Sequence, residues 1–243
     1  IAHDGTLATG SLTPGGTLLV GSGIPGNHFT IATDAADAPG VEIGLRADMR
    51  FQGPAPFETG TGADPATYVV AAGAAAGTPN DNTSTLSDDA WARWNYTVSI
   101  NADTDNNGGT LGDYVYTFVV KDLTTNATLA SATFEQALTA AGFTELQIAA
   151  FNAQSIYQDS LNLEAFIPGF DPNAAHEYRI EVIATDRGNG SAILANHIDV
   201  EVNAAPVGVA DTLAASEDTP VTYAAYAILG NDTDANDDSL QIV

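Results

Sequence analysis

The stretch Ala90-Trp-Ala-Arg-Trp-Asn-Tyr-Thr-Val-Ser-Ile100 carries the strongest β signal in the chain. From Trp94 onward, large apolar residues alternate with Asn, Thr and Ser. A pattern of period two places the apolar side chains on one face of a strand. We therefore expect Trp94 and Val98 to pack in the core of a β-sandwich.

Apolar or alternating runs on both sides of this stretch predict further strands, at 17–20, 28–31, 41–51, 67–72, 114–120, 177–184 and 195–202. The turn Gly188-Asn-Gly190 joins the last two as a hairpin. Residues 134–152 are instead rich in helix formers. The expected fold is mainly β, an antiparallel β-sandwich with a short helical insertion around 134–152.

The charge balance excludes several partners. The chain has 31 acidic and 6 basic residues, and its net charge is −25. Nucleic acids and anionic membrane surfaces would repel it, because phosphate binding needs Lys and Arg. The apolar runs are too short to span a bilayer, so we expect no membrane insertion. Cysteine is absent, which excludes disulfides, thiolate metal sites and a cysteine nucleophile.

Self-repulsion on this scale opposes a compact state. Either high salt or divalent cations bound between carboxylates would relieve it. The simpler alternative is that the acidity only confers solubility. A large, cysteine-free, acidic β protein is typical of exported bacterial proteins that are stiffened by calcium, so we expect an extracellular or cell-surface location.

Two acidic stretches have the oxygen spacing of a calcium loop. The first has Asp103, Asp105 and Asn107 before Gly108, with Asp113 near its end. Alternate oxygens can converge on one cation, although no glutamate occupies the last ligand position of an EF-hand. The alternative is a solvated turn in which Asp and Asn bond their own backbone.

The second stretch shows the same alternation of side-chain oxygens. Its candidate calcium ligands are Asp232, Asp234, Asn236 and Asp238. In the complete domain, later strands could supply further ligands.

A third pattern pairs Ala184-Thr-Asp186-Arg-Gly188 with Asn203-Ala-Ala-Pro206. This pairing resembles the end of a cadherin repeat, and the resemblance implies that Asp186 and Asn203 are calcium ligands at a domain junction. From Asn203 onward, the chain is similar to the bacterial cadherin-like tandem repeats of large secreted adhesins. That similarity implies Ig- or cadherin-like β-sandwich modules in series, with one domain at 1–203 and a truncated repeat at 204–243.

The function favoured by these patterns is non-catalytic, a calcium-stiffened adhesion or structural module. No histidine stands in a metal-ligand pattern, and no Gly-x-Ser-x-Gly motif occurs, so we do not expect an enzyme. One alternative is a module that binds surface polysaccharide, with Trp91 as the stacking residue. Another is a filament or matrix subunit that joins copies of itself by strand exchange.

Overall fold

The computed structural model of the chain describes residues 2–5, 28–34, 36–49, 53–59, 66–74 and 92–242. This part is mainly β and forms two sheets, which confirms the predicted class. The strand expected at 17–20 lies outside the described residues.

Sheet A contains β1 (Ala2–Gly5), β2 (Phe29–Asp34), β3 (Ala38–Met49), β4 (Gly53–Pro54), β7 (Trp94–Asn101) and β10 (Ile156–Leu161). Their order is β1-β2-β3-β7-β10, and β4 pairs with β3. Sheet B contains β5 (Phe57–Thr59), β6 (Ala66–Ala71), β8 (Tyr114–Asp122), β9 (Ala127–Thr133), β11 (His176–Asp186) and β12 (Ala192–Asn203). Their order is β5-β6-β12-β11-β8-β9.

The expectation of a purely antiparallel arrangement is wrong at one place. Strands β6 and β12 pair in parallel, with Asp199 opposite Thr67 and Asn203 opposite Ala71. These strands are far apart in sequence and are not joined by a hairpin. Only a short hairpin requires two neighbouring strands to be antiparallel.

The helical insertion forms as predicted, as α1 (Phe134–Ala140) and α2 (Glu145–Asn152). Each helix is preceded by an N-cap threonine, Thr133 or Thr144, whose hydroxyl accepts a hydrogen bond from the backbone N–H of a glutamine three residues on. The same glutamine side chain accepts from the threonine N–H. These reciprocal bonds satisfy two amides that a helix start leaves unpaired. A third, shorter helix, α3, spans Tyr226–Leu229.

The core between the sheets is formed by side chains at alternate positions of the strands. Inward positions of β11 and β12 are buried and outward ones are half-buried or exposed, as the pattern predicts. Strand β3 differs, because residues 41–48 are buried on both faces, not one. Its outward face carries Arg46, which pairs with Asp48 at 2.9 Å and lies 4.6 Å from the Phe29 ring centroid.

One inward position of β12 is polar. Asn196 is fully buried, and its amide donates to the carbonyl of Thr30 at 2.7 Å and of Ile43 at 2.8 Å. These acceptors belong to β2 and β3, so a single side chain hydrogen-bonds sheet B to sheet A. The bonds offset the cost of burying the amide.

Residues 204–242 differ from the rest of the described chain. They contain α3 and short isolated bridges such as Val207 with Thr233, but no longer strand. Several large apolar side chains here are exposed, those of Val207, Val209, Leu213, Val221, Tyr226 and Ile242. Whether this segment opens a second domain stays a prediction.

Candidate functional site

The strand directions place the predicted ligands at two opposite ends of the sandwich. We call the first the hairpin end, because it carries the 102–113 loop between β7 and β8 and the turn that joins β11 to β12. The second is the junction end, where β12 finishes at Asn203 and residues 204–242 begin.

Asp103 is the most buried carboxylate of the first acidic loop, with 6% of its surface exposed. Its Oδ1 accepts from the backbone N–H of Gly108 at 2.8 Å, and its own N–H donates to Asn101 Oδ1 at 2.9 Å. The loop turns through positive φ angles at Asn106 (57°) and Gly108 (86°). The glycine in the sequence pattern therefore serves the turn, as expected.

Asp105 lies over the start of β3. Its Oδ2 accepts from the side-chain amide of Asn107 at 2.7 Å, and Thr104 N–H donates to the Gly40 carbonyl at 2.9 Å. Gly40 has φ +81°, and a Cβ there would lie 2.6 Å from Asp105 Oδ1. The acidic loop thus needs a glycine on the neighbouring strand, a requirement that the local sequence pattern does not reveal.

Asp113 is used differently from the other loop acids. Its Oδ2 accepts from the backbone N–H of Thr110 at 2.7 Å and from the Thr110 hydroxyl at 3.1 Å. It thereby caps the short 3₁₀ turn Leu111–Asp113 that leads into β8. This local hydrogen bonding agrees with the alternative interpretation of the loop, a solvated turn in which Asp and Asn bond nearby backbone groups.

Asp186 lies at the same hairpin end. Its Oδ1 accepts from the backbone N–H groups of Gly188 and Asn189, both at 2.8 Å, so it orders the β11–β12 turn. Burial raises the pKa of Tyr114, and three carboxylates raise that pKa further, those of Asp113, Asp186 and Asp105. The fold therefore brings predicted ligands from two distant stretches around one tyrosine.

The sequence did not indicate the role of Arg187, the positively charged side chain at the hairpin end. Arg187 donates to the carbonyls of Gly112 at 2.8 Å and Tyr114 at 2.9 Å, and to Glu135 Oε1 at 2.7 Å. The hydrogen bond from Arg187 is the main cause of the lowered pKa of Glu135. Arg187 therefore ties the turn after β11 to the start of β8 and to α1, and so neutralises part of the local charge.

The junction end joins residues that the sequence assigned to separate sites. Asn203 donates to Asp238 Oδ2 at 2.7 Å, and Asn236 Oδ1 accepts from Ala204 N–H at 2.9 Å. Asn236 also donates to the carbonyl of Val202 at 3.2 Å. The acidic loop at 231–238 is thus attached to the end of β12.

Within this loop, Asp234 Oδ1 accepts from the N–H groups of Asn236 at 2.8 Å and Asp238 at 3.3 Å. Asp232 Oδ1 accepts from Val209 N–H at 2.7 Å. Of the four side chains predicted to bind calcium here, Asp232, Asn236 and Asp238 hold the loop against residues 202–209, and Asp234 orders the loop from within.

The expected pairing of Asp186 with Asn203 is wrong within one chain. The two residues lie at opposite ends of the antiparallel pair formed by β11 and β12. β12 spans twelve residues, so about 37 Å separates its two ends at about 3.4 Å per residue. Asp186 belongs with the 103–113 loop, whereas Asn203 belongs with the 232–238 loop.

Among the described residues, no group of three or more His, Cys, Asp or Glu side chains is arranged to hold a metal ion. Calcium also accepts amide and backbone carbonyl oxygens, which both ends provide. Trp91, the candidate for stacking on a sugar, lies outside the described residues. None of the described helices is both long and apolar enough to cross a membrane.

Comparisons with known proteins add no family to this geometry. No family model, no curated protein and no solved structure matches the chain.

Proposed function

We propose that this chain is a non-catalytic structural or adhesion module of the cell surface or extracellular space, stiffened by calcium at its acidic loops. The finer interpretation of the fold, an Ig- or cadherin-like module that begins a repeat at 204, belongs to this proposal. Its support is the resemblance of residues 203–243 to such repeats and the two-sheet architecture.

The observation that carries the proposal is the contact between Asn203 and the 231–238 loop. A side chain at the last position of β12 meets Asp238, 35 residues later, while Asn236 bonds the next backbone amide. Oxygens from both sides of the junction are therefore gathered at one place. A cation bound there would hold the end of the sandwich to the segment that follows.

A bound cation would offset the repulsion between the carboxylates of this acidic chain. Each Lys or Arg among the described residues already contacts a carboxylate or a carbonyl: Arg46 with Asp48, Arg93 with Ala74, Lys121 with Glu181, Arg179 with Asp199 and Arg187 with Glu135. The net charge of −25 remains after every Lys and Arg of the chain has been counted. The remaining repulsion between carboxylates makes bound or screening cations the available means of relief.

The ligands of the proposed junction site are Asp232, Asp234, Asn236, Asp238 and Asn203. Those of the hairpin end are Asp103, Asp105, Asn107, Asp113 and Asp186. Calcium would supply positive charge and would order the loops. Because the formed sites are absent from the unfolded chain, binding would add to the free energy of unfolding.

Calcium titration of charge-neutralised variants tests this proposal. Asp238→Asn keeps the shape of the side chain and removes one charge, so we expect a clear loss of calcium affinity by calorimetry. Glu145→Gln is the matched control, because Glu145 is an exposed acid in the first turn of α2, outside both acidic loops. Equal affinity in the two variants, or no calcium binding by the wild type, would reject the junction site.

The polysaccharide-binding alternative is decided by Trp91. A module of this kind would expose its indole ring, and a spacer would bury it. The chain has two tryptophans, so the fluorescence of the Trp94→Phe variant comes from Trp91 alone. Quenching of this fluorescence by a quencher dissolved in the solvent therefore reports the exposure of the Trp91 ring.

A further inference from the structure

A cleft of about 250 Å³ lies between the sheets, with Tyr96 of β7 on one side and Phe118 of β8 on the other. Both of these residues are buried, whereas Ser131 of β9, which also lines the cleft, is exposed. The cleft therefore leads from the core to the surface. Pockets that hold drug-sized ligands measure about 300–1,000 Å³, so this cleft suits a smaller molecule.

Three aromatic rings line the cleft, those of Tyr96, Phe118 and Phe166. The ring centroid of Tyr96 lies 6.1 Å from that of Phe118 and 6.4 Å from that of Phe166. The ring planes meet at 67° and 55°, so the three rings are inclined to one another around one space. The face of an aromatic ring attracts cations, and sites that combine several rings bind alkylated ammonium groups.

A carboxylate lies on the same inner face as Tyr96. Asp159 of β10 is paired with Val98 of β7, and directly opposite residues of an antiparallel pair point to the same side. Tyr96 and Asp159 are diagonal neighbours in this pair of strands, about 7–8 Å apart. Burial raises the pKa of Tyr96, and the charge of Asp159 raises it further. The carboxylate is therefore close enough to act on a charge in the cleft, although it is not part of the lining.

Asp159 has hydrogen-bond donors but no cationic partner in the described part of the chain. The Tyr157 hydroxyl donates to it at 3.0 Å and the backbone N–H of Ser160 at 2.8 Å, whereas the described Lys, Arg and His residues form their ion pairs with other acids. Burial raises the pKa of the carboxyl group, so its charged form opposes folding. Groups that lower stability in this way are expected at functional sites.

The lining favours an organic cation over a metal ion. Calcium takes about six to eight oxygen ligands, whereas aromatic rings and small apolar side chains make up most of this cleft. An alkylated ammonium group carries its charge within a shell of methyl groups, so it can contact rings directly. The net charge of −25 attracts cations and repels anions.

We propose that the cleft binds a small organic cation, with its alkylated ammonium group against Tyr96, Phe118 and Phe166 and with Asp159 as the counter-charge. Because the cleft is small, the ligand is a free molecule of about the size of choline. This inference depends neither on calcium binding nor on a role in adhesion.

Calorimetric titration of the full chain with choline tests the proposal. Dimethylbutanol is the matched probe, because carbon replaces the charged nitrogen of choline and the shape is kept. At about 0.15 M salt, which screens attraction to distant surface charges, choline should bind about tenfold more tightly than dimethylbutanol. Equal affinities would show that the site does not select a cation, and the absence of saturable choline binding would overturn the site itself.

Two variants test the assigned residues. Asp159→Asn keeps the shape of the side chain and removes its charge, so choline should bind about five- to tenfold more weakly while dimethylbutanol binds as before. Phe166→Leu removes one ring and should also weaken choline binding. Glu145→Gln is the control, because it makes the same change of charge at an exposed position of α2 outside the cleft. Wild-type affinity for choline in Asp159→Asn, or an equal loss in Glu145→Gln, would overturn the proposal.

Discussion

The hydrogen bonds of Asn196 should contribute measurably to the free energy of unfolding. Asn196→Ala removes both bonds between the sheets, those to Thr30 and Ile43. Each buried hydrogen bond contributes about 1 kcal/mol net. The truncation also leaves a small space in a packed core, which adds to the loss. We therefore expect a loss of about 2–4 kcal/mol, in the range of severe core substitutions.

Urea denaturation followed by tryptophan fluorescence measures this loss, because Trp94 is buried in the same core. The melting temperature should fall by about 4–16 °C, since a domain of this size loses about 2–4 °C per kcal/mol. Asn196→Asp should cost more, because a carboxylate cannot donate to the two carbonyls. Asn173→Ala is the control at an exposed turn, where substitutions usually change stability by less than about 0.5 kcal/mol. An Asn196→Ala variant as stable as this control would refute the proposed inter-sheet role.

Three further changes test other parts of the structure. Asp159→Asn should raise the melting temperature at neutral pH, because burial raises the pKa of Asp159 and its charged form therefore opposes folding. This gain should disappear as the pH falls below 3.8, the ordinary pKa of an aspartate, because the carboxyl group is then protonated in both the folded and the unfolded state. Gly40→Ala should cost about 1–2 kcal/mol in urea denaturation, since φ is +81° and the new methyl group would displace Asp105. Arg187→Ala should remove the partner that lowers the pKa of Glu135, so the melting temperature should lose part of its dependence on pH in the range where glutamate titrates.

Local patterns predicted most of the strands and both helices of the insertion. Alternation in β11 and β12 is a property of neighbouring residues, so it is visible without the fold. The same pattern could not identify the role of Asn196. This polar side chain can occupy an inward position because its hydrogen-bond acceptors, the carbonyls of Thr30 and Ile43, lie more than 150 residues away in the chain. The parallel pairing of β6 and β12 is likewise set by contacts that no local pattern reports.

The candidate sites illustrate the same difference. The Asp-rich loops could be found from spacing, because the calcium-loop signature lies within about twelve residues. Their grouping could not, because strand direction decides which loops share an end of the sandwich. For this reason Asp186 lies at the same end of the sandwich as the 103–113 loop, whereas Asn203 lies beside the 232–238 loop.

Thermal unfolding with and without millimolar calcium, with magnesium as the control, tests the central claim most directly. If calcium binds the acidic loops, the melting temperature should rise by several degrees in calcium but not in magnesium, because calcium alone suits sites built from many flexible oxygen ligands. Equal melting temperatures in the presence and absence of calcium would contradict calcium stabilisation. The acidity of the chain would then serve only solubility or adaptation to salt.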